Sequence, residues 1–342
     1  MYTKYYGLTD LPFQLTPDPR FFFESTVHCK AMSHLLFGLE QSEGFIVITG
    51  DVGAGKTTIL SHLLATLDSR DYVTARIVSS HLAGDDMLRA VAAAFDLPFA
   101  NIDKTSLLRR IEDFLIGNHQ QGKRTLLMID EAQNVPPPAL EELRMLSNFQ
   151  VGAKVPLQSF LLAQPQFRRT LASRDLEQFR QRIIASYHLG PMGAAETCEY
   201  IRHRLAVVGW KDDPRFTDEA LADIFAHTGG VPRKINTVCS RIMLFCFLDE
   251  LHAVDRDVVK CVIDDLIRET SQVLDRSDGL TAGVMHTPHQ GVEGEQTSSQ
   301  LLQRIDRIDR TVERHGRALK FFSYAIEKSL QDDASDSDKE AP

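Results

Sequence analysis

Lys56 and Thr57 close the run Gly50-Asp51-Val52-Gly53-Ala54-Gly55-Lys56-Thr57, directly behind the apolar residues 45–49. The G-x-x-x-x-G-K-[ST] spacing is that of a phosphate cradle, in which glycine-permitted backbone turns point N–H groups inward and a following helix adds its positive end. Lys56 would reach the terminal phosphates and the Thr57 hydroxyl would ligate Mg²⁺. An ordinary glycine-rich turn between strand and helix is the plain alternative. The apolar run before it and the helical period from Thr58 onward (apolar at i, i+3 and i+4) favour the cradle. Gly50, Asp51, Val52, Gly53, Ala54, Gly55, Lys56, Thr57 and Thr58 are therefore the expected nucleotide-binding residues, with ATP and Mg²⁺ as the expected ligands.

A second element ends in acid. Thr125-Leu126-Leu127-Met128-Ile129 runs into Asp130-Glu131, the pattern of a strand buried on both faces that stops at the functional edge of a parallel sheet. Asp130 would hold the metal and its water shell, and Glu131 would act as general base on an attacking water. A helix-capping acid after a buried strand would look the same on its own, and the upstream cradle favours the catalytic reading.

Four further residues fit nucleotide turnover. Gln164, after the apolar run 157–163, places a polar side chain at the end of the next strand, where it could touch a γ-phosphate or orient water. Arg180 and Arg182 precede the last apolar run, 184–189, and could be offered to a neighbouring subunit as an arginine finger. Arg233 follows Gly229-Gly230-Val231-Pro232, where a tight turn and a helix-starting proline would aim its guanidinium at phosphates. Taken singly, each arginine reads as a solvated surface residue; their order along the chain supports the site.

The elements that must position these residues follow from pattern. Residues 1–44 form an entry segment, in which prolines deny regular structure until a helix from about Thr26 to Gln41, while aromatic residues demand burial against the core. Over 45–190, strand-like runs alternate with helical ones, which implies an α/β core with a parallel sheet. Only helical periods remain over 191–270, breaking at Asp212-Asp213-Pro214, at Gly229–Pro232 and at Asp255, so a helical lid is expected there. Residues 271–300 are rich in Ser, Thr, Gly, His and acids, and read as a flexible linker. Over 301–330, Leu301, Ile305, Ile308, Val312, Leu319, Phe322 and Ile326 keep 4-3 spacing, with His315 in one core slot: a short coiled-coil-like helix, or one that docks back on the body. Residues 331–342 are an acidic, disordered tail.

Composition bounds the partners. The 342-residue chain is 43% hydrophobic and 25% charged, enough for about two globular domains. A net charge of −9 argues against a protein that coats nucleic acid. No stretch approaches the ~18–20 apolar residues of a transmembrane segment, and the first residues lack a leader pattern, so a cytoplasmic location is expected. The five cysteines are odd in number and without a C-x-x-C pair, which indicates neither a disulfide framework nor a zinc ribbon.

In chain order, cradle, acidic strand end, polar strand end, pre-strand arginines and Gly-x-Pro-Arg turn resemble the AAA+ ATPases. Pro12-Phe13, Thr16-Pro17-Asp18-Pro19, His28, Gly38-Leu39, Ile129-Asp130-Glu131-Ala132-Gln133 and residues 178–183 and 229–236 narrow the resemblance. Together with the cradle, they are similar to the ExeA-like, general secretion pathway protein A family, over about residues 1–270. Members without a membrane helix or peptidoglycan-binding module, the secretion ATPases of exosortase (PEP-CTERM) and exopolysaccharide loci, resemble it most. The resemblance implies a five-stranded core with a helical lid, and ATP held between them. It also implies a homo-oligomer, such as a ring, that completes the site in trans. Gln164 would be sensor 1, Arg182 or Arg180 the finger, and Arg233 sensor 2. Partners would be proteins of a membrane-associated secretion or polysaccharide system, with peripheral attachment at the inner membrane. The chain departs from the secretion members by continuing into a linker and heptad helix where they carry a membrane anchor. Two other readings stand beside this one: a DNA-targeting AAA+ ATPase of the transposition target-selection type, which the acidic balance disfavours, and an inactive ATP-binding scaffold, which Glu131 and the finger arginines disfavour.

Overall fold

The computed structural model describes the backbone of residues 2–16, 18–78, 86–152 and 154–278, with side chains to residue 269. In chain order, α1 (Tyr2–Tyr5), α2 (Thr26–Gln41), β1 (Phe45–Gly50), α3 (Lys56–Thr66), β2 (Tyr72–Val78), α4 (Met87–Ala94), α5 (Lys104–Gln120) and β3 (Arg124–Asp130) come first. Then follow α6 (Pro137–Leu146), β4 (Leu157–Ala163), α7 (Phe167–Leu171), α8 (Glu177–Arg180), β5 (Ile183–Leu189) and α9 (Ala194–Val207). The last elements are β6 (Arg215–Phe216), α10 (Asp218–Thr228), α11 (Pro232–Leu248), β7 (Ala253–Val254) and α12 (Arg256–Asp278).

Five strands pair in the order β2-β3-β4-β1-β5, all parallel. Every residue of β1 and β4 is buried, which is why both read as unbroken apolar runs rather than alternating ones. Alternation still decides which face each side chain serves. Phe45, Val47, Leu127, Ile129, Leu157 and Leu161 meet α4, α5 and α6 on one face. On the other, Ile46, Ile48, Leu126, Met128, Phe160 and Leu162 meet α2 and α3. Each such side chain contributes about 1.5–3 kcal/mol by leaving water, and a register slip of one residue in β1 would exchange its two apolar faces and misfit both layers. Because the strands are parallel, their C-terminal ends share one edge, and β1, β3 and β4 are neighbours there.

The chain divides into two compact units. The larger, Gly7–Lys211 with Asp218–Ser240, carries the sheet, its covering helices, α9, α10 and the start of α11. In it residues 7–44 of the entry segment pack on the core, as Phe22 stacks on His62 of α3 at 4.0 Å, whereas residues 1–6 of that segment belong to the smaller unit. Residues 7–44 are also tied to α9: Arg204 donates to the Pro12 and Gln14 carbonyls at 2.5 and 3.3 Å, and the Thr26 N–H donates to Glu196 at 2.6 Å.

The smaller unit comprises residues 1–6, Asp212–Thr217 and the chain from Arg241. Here the purely helical expectation is corrected, because β6 and β7 pair in parallel through Arg215 N–H to the His252 carbonyl, 2.9 Å, and Thr217 N–H to the Val254 carbonyl, 3.0 Å. Strands of two residues are too short to leave a period in sequence. The prolines likewise did not exclude the short helix α1 or a 3₁₀ turn at Pro19–Phe21, started by Asp18 accepting from the Arg20 N–H at 2.9 Å. Helix α12 runs through Asp278, past the expected start of the linker at 271, since Gln272, Val273, Leu274 and Arg276 remain good or tolerated helix residues until Gly279. Residues 301–330 and the acidic end lie outside the described residues.

Candidate functional site

Strand β1 delivers the chain from the centre of the sheet into the loop Asp51–Gly55. Gly53 and Gly55 hold φ of 81° and 98°, a region that costs a side-chain-bearing residue about 1–2 kcal/mol, and this is why the loop needs glycine at these points. Gly55 also caps the N-terminus of α3, so the helix's unsatisfied N–H groups and positive end face the loop. The Lys56 ammonium, buried within the loop, donates to the carbonyls of Gly50 and Asp51 at 2.7 and 2.9 Å. Burial lowers its pKa from the ordinary lysine value, while the carboxylates of Glu131, Asp130 and Asp51 oppose the shift. The positive charge is thus held rigidly where anion binding would stabilise it.

Asp130, the last residue of β3, is 4% exposed. Its Oδ2 accepts from the Thr57 hydroxyl at 2.9 Å and from Arg76 of β2 at 2.6 Å, and its Oδ1 from the Glu131 N–H at 3.0 Å. Glu131 itself turns out of the strand with φ of 54°, a left-handed conformation that swings its carboxylate to the sheet edge. There Glu131 Oε2 accepts from Gln133 Nε2 at 2.5 Å and from Gln164 Nε2 at 3.1 Å. The Gln164 N–H in turn donates to Gln133 Oε1 at 2.9 Å. The two amides therefore hold the glutamate through one carboxylate oxygen, and Gln164 stands beside Glu131 because β4 is next to β3 in the sheet.

Arg233 closes the group from α11. Its N–H donates to the Gly53 carbonyl at 3.2 Å, and a Cβ added at Gly53 would stand 2.3 Å from the Arg233 Cβ. Helix α11 thus rests directly on the loop. Arg233, Gly53, Lys56, Thr57, Thr58 and Glu131 line one cavity of about 310 Å³, whose other walls come from the entry segment (Gln14–Thr16, Phe21–Phe23) and from Tyr200, Arg204 and Asn236.

Arg180 and Arg182 are not brought to this cavity. Arg180 donates to the carbonyls of Leu171 and Ser173 at 2.6 and 2.9 Å, and Arg182 to the Ser147 carbonyl at 3.3 Å and to Asn148. Both precede β5, whose Ile183 is in register with Phe45 and whose Leu189 is in register with Gly50. They therefore sit at the N-terminal edge of the sheet, roughly 20 Å from the loop by strand rise.

Three residues that reasoning from sequence left without a role belong to the site. Arg76 is the sole charge in the strand Tyr72–Val78, and strand alternation would have placed it on one face with Thr74 and Val78. Gln133 stands two residues past Glu131. His28, buried, joins the Ser25 hydroxyl to the loop, with Nδ1 2.6 Å from Ser25 Oγ and Nε2 3.2 Å from the Ala54 carbonyl. A carbonyl only accepts, so Nε2 carries the proton and Nδ1 accepts from the serine.

The donor set fits Mg²⁺ with a nucleotide: Thr57 and Asp130 present hard oxygens side by side next to an N–H-lined loop, and among the described residues no cluster of three or more His, Cys, Asp or Glu offers a dedicated all-protein metal cage. Few protein oxygens with the remainder from water and phosphate is the usual magnesium arrangement.

A parallel sheet whose shared edge carries this loop, acid pair and polar neighbour has the α/β architecture of a P-loop NTPase of the AAA+ fold. Residues 39–171 match the family model of the AAA domain. The chain is 38% identical over 258 residues to General secretion pathway protein A of Aeromonas hydrophila. That stretch is 74% of this chain and 46% of the relative, so the chain spans about half the length of the curated relative it matches. Among solved structures, Cdc6p from Pyrobaculum aerophilum matches with a TM-score of 0.59 at 13% identity, covering 74% of this chain and 70% of that one. The Aeropyrum pernix ORC2 protein matches with a TM-score of 0.55 at 14% identity, covering 74% and 71%. At such identities the likeness is one of fold.

Proposed function

We propose that this chain binds ATP in the cavity against the loop and hydrolyses it. The observation that carries the reading is the meeting of Lys56, Thr57, Glu131 and Arg233 on one cavity, with Asp130 and Gln164 bonded directly behind them. The loop N–H groups and Lys56 hold the β- and γ-phosphates, Arg233 contacts them from α11 as sensor 2, and the entry segment with Tyr200 and Asn236 encloses the base and sugar. Thr57 and Asp130 would hold Mg²⁺, which would supply charge neutralisation on the phosphate oxygens. Glu131 takes the proton of the attacking water, and Gln164, as sensor 1, keeps that carboxylate and the water in line. Lys56→Ala should abolish binding of a fluorescent ATP analogue; retained affinity would refute the assignment of the cavity.

By the resemblance to AAA+ ATPases, Arg182, or Arg180, both at the sheet edge opposite their own site, serves the ATP of a neighbouring copy, and the working form is a homo-oligomer. Residues 45–190 act as the nucleotide-binding core and 191–270 as the lid that responds to nucleotide. The 38% identity to General secretion pathway protein A supports a role in energising or regulating a secretion assembly. In its narrowest form, resting on sequence resemblance alone, that assembly is exosortase- or exopolysaccharide-associated. Attachment at the inner membrane, from the cytoplasm, through protein partners of that system belongs to the same reading; no helix among the described residues is long and apolar enough to cross a membrane.

A further inference from the structure

Asp130 has a resident cation that neither the motif nor the proposed chemistry accounts for. Arg76 lies on β2 opposite Met128, with Val78 opposite Asp130, so Arg76 and Asp130 are diagonal neighbours on one face of the sheet. The Arg76 Nη2 to Asp130 Oδ2 distance is 2.6 Å, and the two side chains are 39% and 5% exposed. Both oxygens of the carboxylate are engaged: Oδ2 by Arg76 and Thr57, Oδ1 by the Glu131 N–H. A buried carboxylate without a counter-ion is costly, and the guanidinium removes that cost. The same contact occupies the oxygen that faces Thr57, where a divalent cation has to be held.

We propose that Arg76 is the counter-ion of Asp130 in the metal-free protein and competes with Mg²⁺ for it, so that Arg76 sets the magnesium concentration at which nucleotide is held. This rests on the reading of the cavity as an ATP site. Two features make displacement feasible. Arg76 is partly exposed and hangs from an edge strand of the sheet, so its long side chain can turn into solvent. Asp130 is held in place, as the end of a strand between β2 and β4 with its carboxylate bonded to the Thr57 hydroxyl and the Glu131 N–H. The exchange is therefore of cations on a fixed anion. Arg76 is a positioning residue, and its removal leaves the phosphate loop intact.

The test uses the full chain and a fluorescent ATP analogue titrated at fixed concentration with MgCl₂ from an EDTA-treated start. Arg76→Gln should lower the half-saturating Mg²⁺ about tenfold, equivalent to about 1.4 kcal/mol. Thermal melting should show the variant less stable than the parent in EDTA and level with it once Mg²⁺ and ADP are added. Arg76→Lys, which keeps charge on a shorter and more strongly hydrated group, should fall between the two and serves if Arg76→Gln does not fold. Arg70→Gln is the control for net charge, since Arg70 is 87% exposed and paired with Asp68; it should leave the magnesium midpoint unchanged. A midpoint unmoved or raised in Arg76→Gln, or lowered equally in Arg70→Gln, overturns the proposal while leaving ATP binding standing. A parent chain that holds no analogue at any magnesium concentration overturns both.

Discussion

Replacing Gly55 by alanine tests whether the phosphate loop and the entry helix are one device. Gly55 has φ of 98°, and an added Cβ would lie 2.7 Å from His28 Nε2, closer than side-chain carbons approach. Two costs follow. The left-handed backbone costs a non-glycine residue about 1–2 kcal/mol. Moving the imidazole aside breaks its hydrogen bond to the Ala54 carbonyl, about 1 kcal/mol. The sum, about 2–3 kcal/mol, corresponds at 1.4 kcal/mol per decade to roughly 30- to 150-fold. It should appear in urea denaturation as lost stability, in analogue binding as lost affinity, or divided between them. The share that depends on His28 can be isolated: in a His28→Ala background the imidazole is gone, so Gly55→Ala should cost only its backbone part, and the cycle should show a coupling of about 1 kcal/mol. Gly55→Ala within about 0.5 kcal/mol of the parent in both assays, or a cycle that is strictly additive, would refute the reasoning.

Burial pushes the His28 pKa below 6.5, with Glu196 and the bond to Ala54 opposing the shift; the unfolded chain thus takes up a proton first, and stability should fall as pH drops from about 6.5 toward the lower folded value. The urea midpoint should therefore decline from pH 7.5 to 5.5, and His28→Gln should make the decline shallower; an equal slope in the variant would exclude His28 as its source. Arg182→Ala should lose turnover, yet mixing it with inactive Lys56→Ala protein should recover part of it, because some interfaces then join an intact loop to an intact finger; recovery seen with Arg180→Ala and absent with Arg182→Ala would make Arg180 the finger.

Much of the arrangement was legible in the chain because each strand reports itself. An apolar run of strand length, doubly buried, leaves a continuous signal, and β1, β3 and β4 all end in residues of a different chemical kind: glycine loop, acid pair, glutamine. A parallel sheet puts those ends on one edge, so Lys56, Asp130 and Gln164 could be placed together without coordinates. What was not legible depends on choices among partners. Nothing in the residues around Arg76 says that it reaches Asp130 rather than solvent, and Gln133 meets Gln164, and His28 the Ala54 carbonyl, only once β4 stands beside β3 and α2 beside the loop. Arg204 is similar, since a helix arginine that clamps the Pro12 and Gln14 carbonyls reads in sequence as one more surface charge. The β6–β7 pair, two residues a strand, is fixed by the fold around it rather than by its own pattern.

On the proposed mechanism Glu131 acts as the base on ATP held by the loop. The direct measurement is Glu131→Gln, a nearly isosteric change that keeps the Gln133 and Gln164 contacts within reach, assayed for analogue affinity and for phosphate release on one preparation. Loss of phosphate release of about a hundredfold or more, with affinity for the ATP analogue unchanged or higher, is the predicted result. Phosphate release at the parent rate by the purified variant, with ATP bound equally well, would rule out Glu131 as the base.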